Sequence, residues 1–412
     1  MNGDKDVVVG LDLGTTKIAS VIARVEDGRV NIMGVGRYPS EGLRKGIVIN
    51  IDKTVQSILK AMREAEMMAG KEAKGVFTGI AGDHIRNIKG RGVVAVTGPD
   101  NEVTKDDVNR VLESAKSMAL PVDREVIHII PTEFMLDGQG GIRDPVGMFA
   151  QRLEANVVIV TGAVTSAKNI CKCVNKAGYE VNDIVLQPLA SSYSVISEEE
   201  KEIGAILIDI GGGTTDTAIF YSGSLRKTSM IGLGGENITN DIGVGLRTSP
   251  QEAERVKLEY ATVKEIPEKE KNEMITIKGI SGRGNKQVSR ELLQQIVKPR
   301  VEEILMLAYR EVSQDPLYEM LSAGVVLTGG TAKLKGIAEL SEDIFGLPVR
   351  VGIPSEDIVG LKDAVSDPAF ATSVGLIKYG VKHSGENIKQ EKGKSLFDAV
   401  LKRMSQWLEE FF

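Results

Sequence analysis

The chain has 412 residues and a net charge of −6, from 51 Lys and Arg against 57 Asp and Glu. With 42% apolar residues it can build more than one core, which excludes wholesale disorder, and at roughly 100–200 residues per domain it holds two to four domains. The acidic balance argues against a general nucleic-acid binder, and two cysteines exclude a disulfide scaffold.

In chain order, Met1 to Asp6 are polar and no signal peptide is expected. No run of 18 apolar residues follows, so no membrane-spanning helix is expected either. The first element is Val7-Val8-Val9-Gly10-Leu11-Asp12-Leu13-Gly14-Thr15-Thr16-Lys17, continued by a second apolar run from Ile18 to Ala23. It reads as strand, tight turn, strand. About 200 residues on, Ala205-Ile206-Leu207-Ile208-Asp209-Ile210-Gly211-Gly212-Gly213-Thr214-Thr215-Asp216 repeats the pattern, followed by Thr217 to Tyr221. Two copies predict a duplicated domain.

Glycines in such a turn let backbone N–H groups and Thr hydroxyls approach phosphate oxygens. An Asp at the strand end suits Mg²⁺, held mostly through water because Mg²⁺ dehydrates reluctantly. Two facing hairpins would clamp a nucleotide between two domains. No Gly-x4-Gly-Lys-Ser/Thr loop occurs, so this is a different phosphate-binding device.

Between the repeats lie Cys171 and Cys173, two apart and so on different helix faces, read as reduced thiols. With His84, His128 and His383 scattered, no zinc site is expected. Beyond the second repeat come Ile231-Gly232-Leu233-Gly234-Gly235-Glu236-Asn237 and a helix beginning at Pro250. On that helix Glu254 and Lys257 are three apart and share a face, as ligand groups or as a surface ion pair. A buried-looking strand, Val325-Val326-Leu327-Thr328, then runs into Gly329-Gly330-Thr331-Ala332, with a helix around Ile337 to Asp343.

These motifs resemble the actin / Hsp70 / sugar-kinase ATPase superfamily. The resemblance makes Asp12 to Lys17 the first phosphate loop, Asp209 to Asp216 the second, and Thr328 to Ala332 the adenosine motif. Gln187-Pro188-Leu189-Ala190-Ser191-Ser192 falls where the superfamily has its first connecting helix. Further segments narrow the likeness to the FtsA family of bacterial division proteins: Gly79-Ile80-Ala81-Gly82-Asp83-His84-Ile85, Pro131-Thr132-Glu133-Phe134, Gly141 to Met148, and Val288 to Leu293.

The resemblance implies a duplicated actin-like (ribonuclease H-like) α/β fold of two lobes. Lobe 1 would comprise 1–84, 165–200 and 349–380, with an inserted FtsA-type subdomain at 85–164. Lobe 2 would comprise 201–224 and 300–348. Its upper subdomain, 225–299, resembles the part that binds the C-terminal peptide of the tubulin-like protein FtsZ.

ATP and Mg²⁺ are the implied ligands. Phosphates fall to Gly14, Thr15, Thr16, Lys17, Gly211, Gly212, Gly213, Thr214 and Thr215. Gly234, Gly235, Glu254, Lys257, Gly329, Gly330 and Lys333 take the rest of ATP, and Asp12 and Asp209 take Mg²⁺. Gln187 replaces the Glu of Hsp70-like members, as actin also does. Gln orients a water but is a poor base, so hydrolysis is expected to be slow or negligible, with Gln187 and Asp209 as the candidate catalytic pair.

Residues 381–395 are polar and read as a linker. From Leu396 the chain becomes a predicted amphipathic helix. Leu396, Phe397, Val400, Leu401, Met404, Trp407, Leu408, Phe411 and Phe412 fall within an arc of about 160° at 100° per residue. Seventeen residues give roughly 26 Å, and the charged face forbids spanning, which suits a helix lying in a membrane interface. Nine half-buried apolar side chains contribute about 7–13 kcal/mol gross. Ordering the helix costs about 1 kcal/mol or more per residue, so one tail holds weakly and a polymer of tails holds well.

The reading is therefore an ATP-binding, filament-forming adaptor. It would tether FtsZ to the inner face of the cytoplasmic membrane at the septum and recruit later division proteins. A small-molecule kinase of the same superfamily would need a catalytic carboxylate facing a substrate cleft, and none is evident. A pilus-assembly relative or a rod-shape actin would lack the segments around Gly141 and Val288.

Overall fold

The structure is a computed structural model, and it describes residues 7–26, 28–116, 121–279 and 284–383. The first lobe is built on a six-stranded sheet ordered Glu180–Leu186, Gly75–Ile80, Val7–Leu13, Lys17–Glu26, Arg29–Pro39, Ile358–Gly360. Its centre is the expected hairpin, with Asp12 opposite Ala19 and Leu13 opposite Ile18. Strand alternation sends Val9, Leu11 and Leu13 to one face, against Ile58 and Met62 of helix Ile51–Ala69. The other face packs Val8, Ala19 and Val21 against Val374 and Ile377 of helix Ala371–His383. Both faces are covered, which is why these strands read as continuous apolar runs rather than alternating ones.

The second lobe repeats the plan in a five-stranded sheet ordered Ser224–Ile231, Thr215–Tyr221, Ala205–Ile210, Gly324–Thr328, Val349–Val351. In each lobe an antiparallel hairpin is flanked by a parallel strand, Gly75–Ile80 in the first and Gly324–Thr328 in the second. Helix Arg290–Ser313 packs Val297, Val301 and Ile304 into the core with Ile206, Ile208 and Ile219.

The insert is a four-stranded antiparallel sheet of Arg86–Ala95, Arg152–Ala163, Arg124–Leu136 and Gln139–Ile142, backed by helix Lys105–Ala115. It has its own core around Val108, Leu112, Phe134 and Leu153. Thr104 caps the helix in a reciprocal box with Asp107, whose carboxyl lies below the usual range because hydrogen bonds from Thr104, Arg110 and Thr97 outweigh its burial. The insert also touches the second lobe: Asn87 Nδ2 donates to the Thr228 carbonyl, and Arg143 pairs with Glu202.

Three expected boundaries move. Val349–Val351 pairs with Gly324–Thr328, and Gly352 N donates to Leu327 O at 2.7 Å, so the chain returns to the first lobe after 352, not at 349. Ser224–Ile231 completes the second lobe's sheet, so the upper subdomain begins after Ile231 rather than at 225. Helix Ala371–His383 runs three residues into the segment expected as linker. The rest of that linker, and the nine apolar residues from Leu396 to Phe412 assigned to the membrane, lie outside the described residues.

Candidate functional site

The two hairpin turns face each other across the cleft between the lobes. A Cβ on Gly213 would lie 2.6 Å from Thr15 Cγ2, and one on Gly212 would overlap the Thr16 side chain. The glycines are therefore fixed by the approach of the opposite lobe, whose Thr side chains occupy the space a Cβ would need. Gly211 N closes its turn on Thr214 O at 2.9 Å. The next helix, Gly235–Gly245, ties to the same turn, with Gly235 N on Gly211 O at 2.9 Å and Glu236 N on Gly212 O at 2.8 Å.

Around the turns opens a cavity of about 510 Å³. It lies within the range of roughly 300–1,000 Å³ typical of small-molecule sites. Of the acidic residues that line it, Asp12, Asp209 and Asp216 come from the strands of the two hairpins. Burial pushes Asp12 up to about 6, against the pull of Lys17 and with the push of Asp209. Burial and then Asp209 push Asp216 up to about 8. Asp209 is also raised by burial, opposed by hydrogen bonds from Ser191 and Thr372 and by the Lys17 charge. Anions crowded in a low-dielectric cleft favour a cation there. Among the described residues no three acidic or imidazole groups converge closely enough to hold a metal ion directly. The residues thus fit an Mg²⁺ held largely through water, with Asp12, Asp209 and Asp216 as its anionic surround.

Gln187 Nε2 donates to Asp12 Oδ1 at 3.4 Å, which aims the side-chain amide from the start of helix Gln187–Val195 into the cavity. Lys17 lines the cavity, but its ammonium donates to Ala369 O and lies 4.6 Å from the Phe370 ring centroid. Burial lowers its pKa, with the Asp12 charge opposing. On helix Pro250–Tyr260, Lys257 Nζ bonds Glu254 Oε2 at 2.7 Å, Thr239 Oγ1 at 2.8 Å and Gly235 O at 3.1 Å. Lys333 pairs with Asp367 at 2.5 Å at the rim.

A family model described as "Cell division protein FtsA" matches residues 206–375, and one described as "SHS2 domain inserted in FTSA" matches 82–161. A cell division protein FtsA of Pseudomonas aeruginosa is 42% identical over 413 residues, covering 98% of each chain. This chain belongs to the FtsA family of cell division proteins. The Escherichia coli K12 FtsA is 37% identical, covering 99% of each. Among solved structures, a PilM–PilN type IV pilus biogenesis complex matches at TM-score 0.65 and 18% identity, covering 91% of this chain and 98% of that one. MreB5 of Spiroplasma citri bound to ADP matches at TM-score 0.59 and 16% identity, covering 94% and 99%. These two likenesses establish an actin-like fold.

Of the residues expected to bind ATP in this FtsA-family chain, Gly14 to Lys17, Gly211 to Thr214, Gly235, Glu254, Lys257, Gly329, Gly330 and Lys333 line one cavity with Asp12, Gln187 and Asp209. Two expected residues do not. Thr215 is fully buried and donates to Leu233 O at 2.9 Å. Gly234 backs the turn, where a Cβ would lie 2.6 Å from Gly212 O. Asp216 and Thr331, which the motifs include without an individual role, line the cavity too, as do Arg37 and Pro368-Ala369, which no motif includes. Asp216 was legible: aligning Gly14-Thr15-Thr16-Lys17 with Gly213-Thr214-Thr215-Asp216 sets an acid against the lysine of the first copy.

Proposed function

We propose that this FtsA-family protein binds ATP with Mg²⁺ in the cleft and that the bound state assembles into filaments. Those filaments hold the FtsZ ring to the inner face of the cytoplasmic membrane at the septum and recruit later division proteins. The observation that carries the reading is the pairing of Gly212 with Thr16 and Gly213 with Thr15, which sets two phosphate turns against one cavity. The turn amides and the Thr15, Thr16 and Thr214 hydroxyls receive the phosphates. Glu254 uses only Oε2 towards Lys257 and Thr239, leaving Oε1 to accept from a sugar hydroxyl. Mg²⁺, when bound, neutralises the polyphosphate beside the three Asp residues.

Gln187 gives one N–H to Asp12, and its amide can orient a water but cannot take the proton from it, so turnover is slow and the nucleotide acts as a structural ligand. Lobe closure on ATP fixes one conformation, and repeated copies of that conformation stack. Each copy adds a tail from Leu396 to Phe412, and avidity converts weak membrane contacts into stable attachment. The upper subdomain after Ile231 presents the surface for the FtsZ C-terminal peptide.

Trp407 is the single tryptophan and reports on the tail. Its emission is expected to shift to the blue on liposomes containing anionic lipid, and further with Mg²⁺–ATP. Emission already blue in buffer and indifferent to lipid would remove the membrane attachment from this reading.

A further inference from the structure

The hairpin between strand Arg29–Pro39 and helix Ile51–Ala69 pairs Leu43 with Val48 and Arg44 with Ile47, which leaves Lys45 and Gly46 as a two-residue turn. Both have positive φ, 49° and 75°. Such turns are normally filled by Asn, Asp or Gly, because a long side chain in the left-handed region costs free energy. Lys45 bears that cost at a particular place. Gly46 lines the phosphate end of the cavity, and its N–H donates to Thr15 Oγ1 at 3.3 Å. Thr15 thereby accepts from the hairpin and keeps its own hydroxyl hydrogen for a ligand oxygen.

The turn also crosses to the second lobe. Lys45 Nζ lies 3.2 Å, and Cδ 3.6 Å, from the point where a Cβ on Gly232 would stand, just ahead of the Gly234-Gly235 turn. Neighbouring Arg44 faces the same lobe, where burial raises the Glu236 carboxyl while the Lys257 and Arg44 charges draw it back down. Among the described residues Lys45 has no carboxylate within ion-pair distance. An unpaired ammonium is thus carried over the cleft by a turn fixed to the first phosphate loop.

We infer that Lys45 is a sensor of the terminal phosphate: its ammonium pairs with the outermost phosphoryl group of a nucleoside triphosphate and holds the two lobes together in that state. The inference rests on the nucleotide reading of the cleft. The ammonium of Lys45 lies against Gly232 of the second lobe, outside the cavity lining, while the turn that carries it is bonded to Thr15, so rotation about the side chain's own bonds brings the charge to a phosphate held there. A nucleoside diphosphate, one phosphoryl group shorter, leaves this contact unmade.

The test is titration of the full-length protein with ATP and with ADP, each with Mg²⁺, by calorimetry. Lys45→Met keeps the stem and removes the charge. Lys45→Asn supplies a residue that tolerates the left-handed turn, so its thermal melt should match or exceed wild type. Both variants are expected to weaken ATP by about tenfold, the scale of a charge-assisted hydrogen bond, and ADP by less than about twofold. Equal weakening of both nucleotides, or of neither, overturns the role of Lys45 and leaves the nucleotide site standing. A wild-type protein that binds neither nucleotide overturns both.

Discussion

Ser191 Oγ donates to Asp209 Oδ2 at 2.8 Å, and the two residues belong to different lobes. Ser191 lies on helix Gln187–Val195, and Thr372, at the start of helix Ala371–His383, adds a second hydroxyl to the same carboxylate at 3.4 Å. The first lobe therefore sets the charge and position of the carboxylate that the second lobe brings to the cleft.

Replacing Ser191 with Ala removes a hydrogen bond to the ionised form, so the Asp209 pKa rises further. Less carboxylate is then available to Mg²⁺ at neutral pH. Apparent affinity for Mg²⁺–ATP is expected to fall about tenfold, following the usual worth of a bond to a charged group. The loss should shrink as pH is raised, a recovery that calorimetry at two pH values would detect and that simple misfolding would not produce.

Asp216 gives a pH signature with a defined sign. Its folded pKa, about 8, lies above its ordinary 3.8, so the folded state binds more protons than the unfolded one across that window. Its stability penalty is absent below about pH 4 and grows as pH climbs towards 8, and Asp12, at about 6, adds to the trend. The nucleotide-free protein should melt lower as pH rises from about 5.5 to 8.5, while Asp216→Asn flattens the decline. Mg²⁺–ATP should stabilise more at the alkaline end. Melting curves over pH, with and without ligand, check all three.

Gly212→Ala puts a methyl group into Thr16 across the cleft. The fold of each lobe is untouched, but the lobes must part. Nucleotide affinity is expected to drop by roughly ten- to a hundredfold, the scale of an overpacked contact of about 1–3 kcal/mol. Adding Thr16→Ser removes the opposing methyl and should restore part of the binding.

Gly375 tests the core rather than the site. It lies in helix Ala371–His383, and a Cβ there would overlap the Ala190 carbonyl of the neighbouring helix. Gly375→Ala should destabilise by about 1–3 kcal/mol, despite the better helix propensity of Ala. A lower denaturation midpoint with an unchanged slope is the expected result.

Much of this architecture was legible because local chemistry and tertiary role coincide. The two hairpins show in the sequence since β-branched runs and Gly-Thr turns are both strand chemistry and phosphate chemistry. Lys17 shows why some roles were hidden: its ammonium turns to Ala369 and Phe370, residues some 350 positions away that no local pattern connects to it. The strand Val349–Val351 was missed because three residues carry too little periodicity to assign a sheet. Thr215 matches the motif as well as Thr214 does, yet strand alternation turns it into the core, a distinction that needs the register.

Calorimetric titration of ATP into the full-length protein, with Mg²⁺ and then with a chelator, tests directly whether one cleft takes ATP between the two lobes through Mg²⁺. One site per chain is expected, weakened strongly by the chelator and lost in Gly212→Asp, which drives a carboxylate into Thr16 of the facing turn. Binding that is absent, or that ignores both the metal and the substitution, would contradict it.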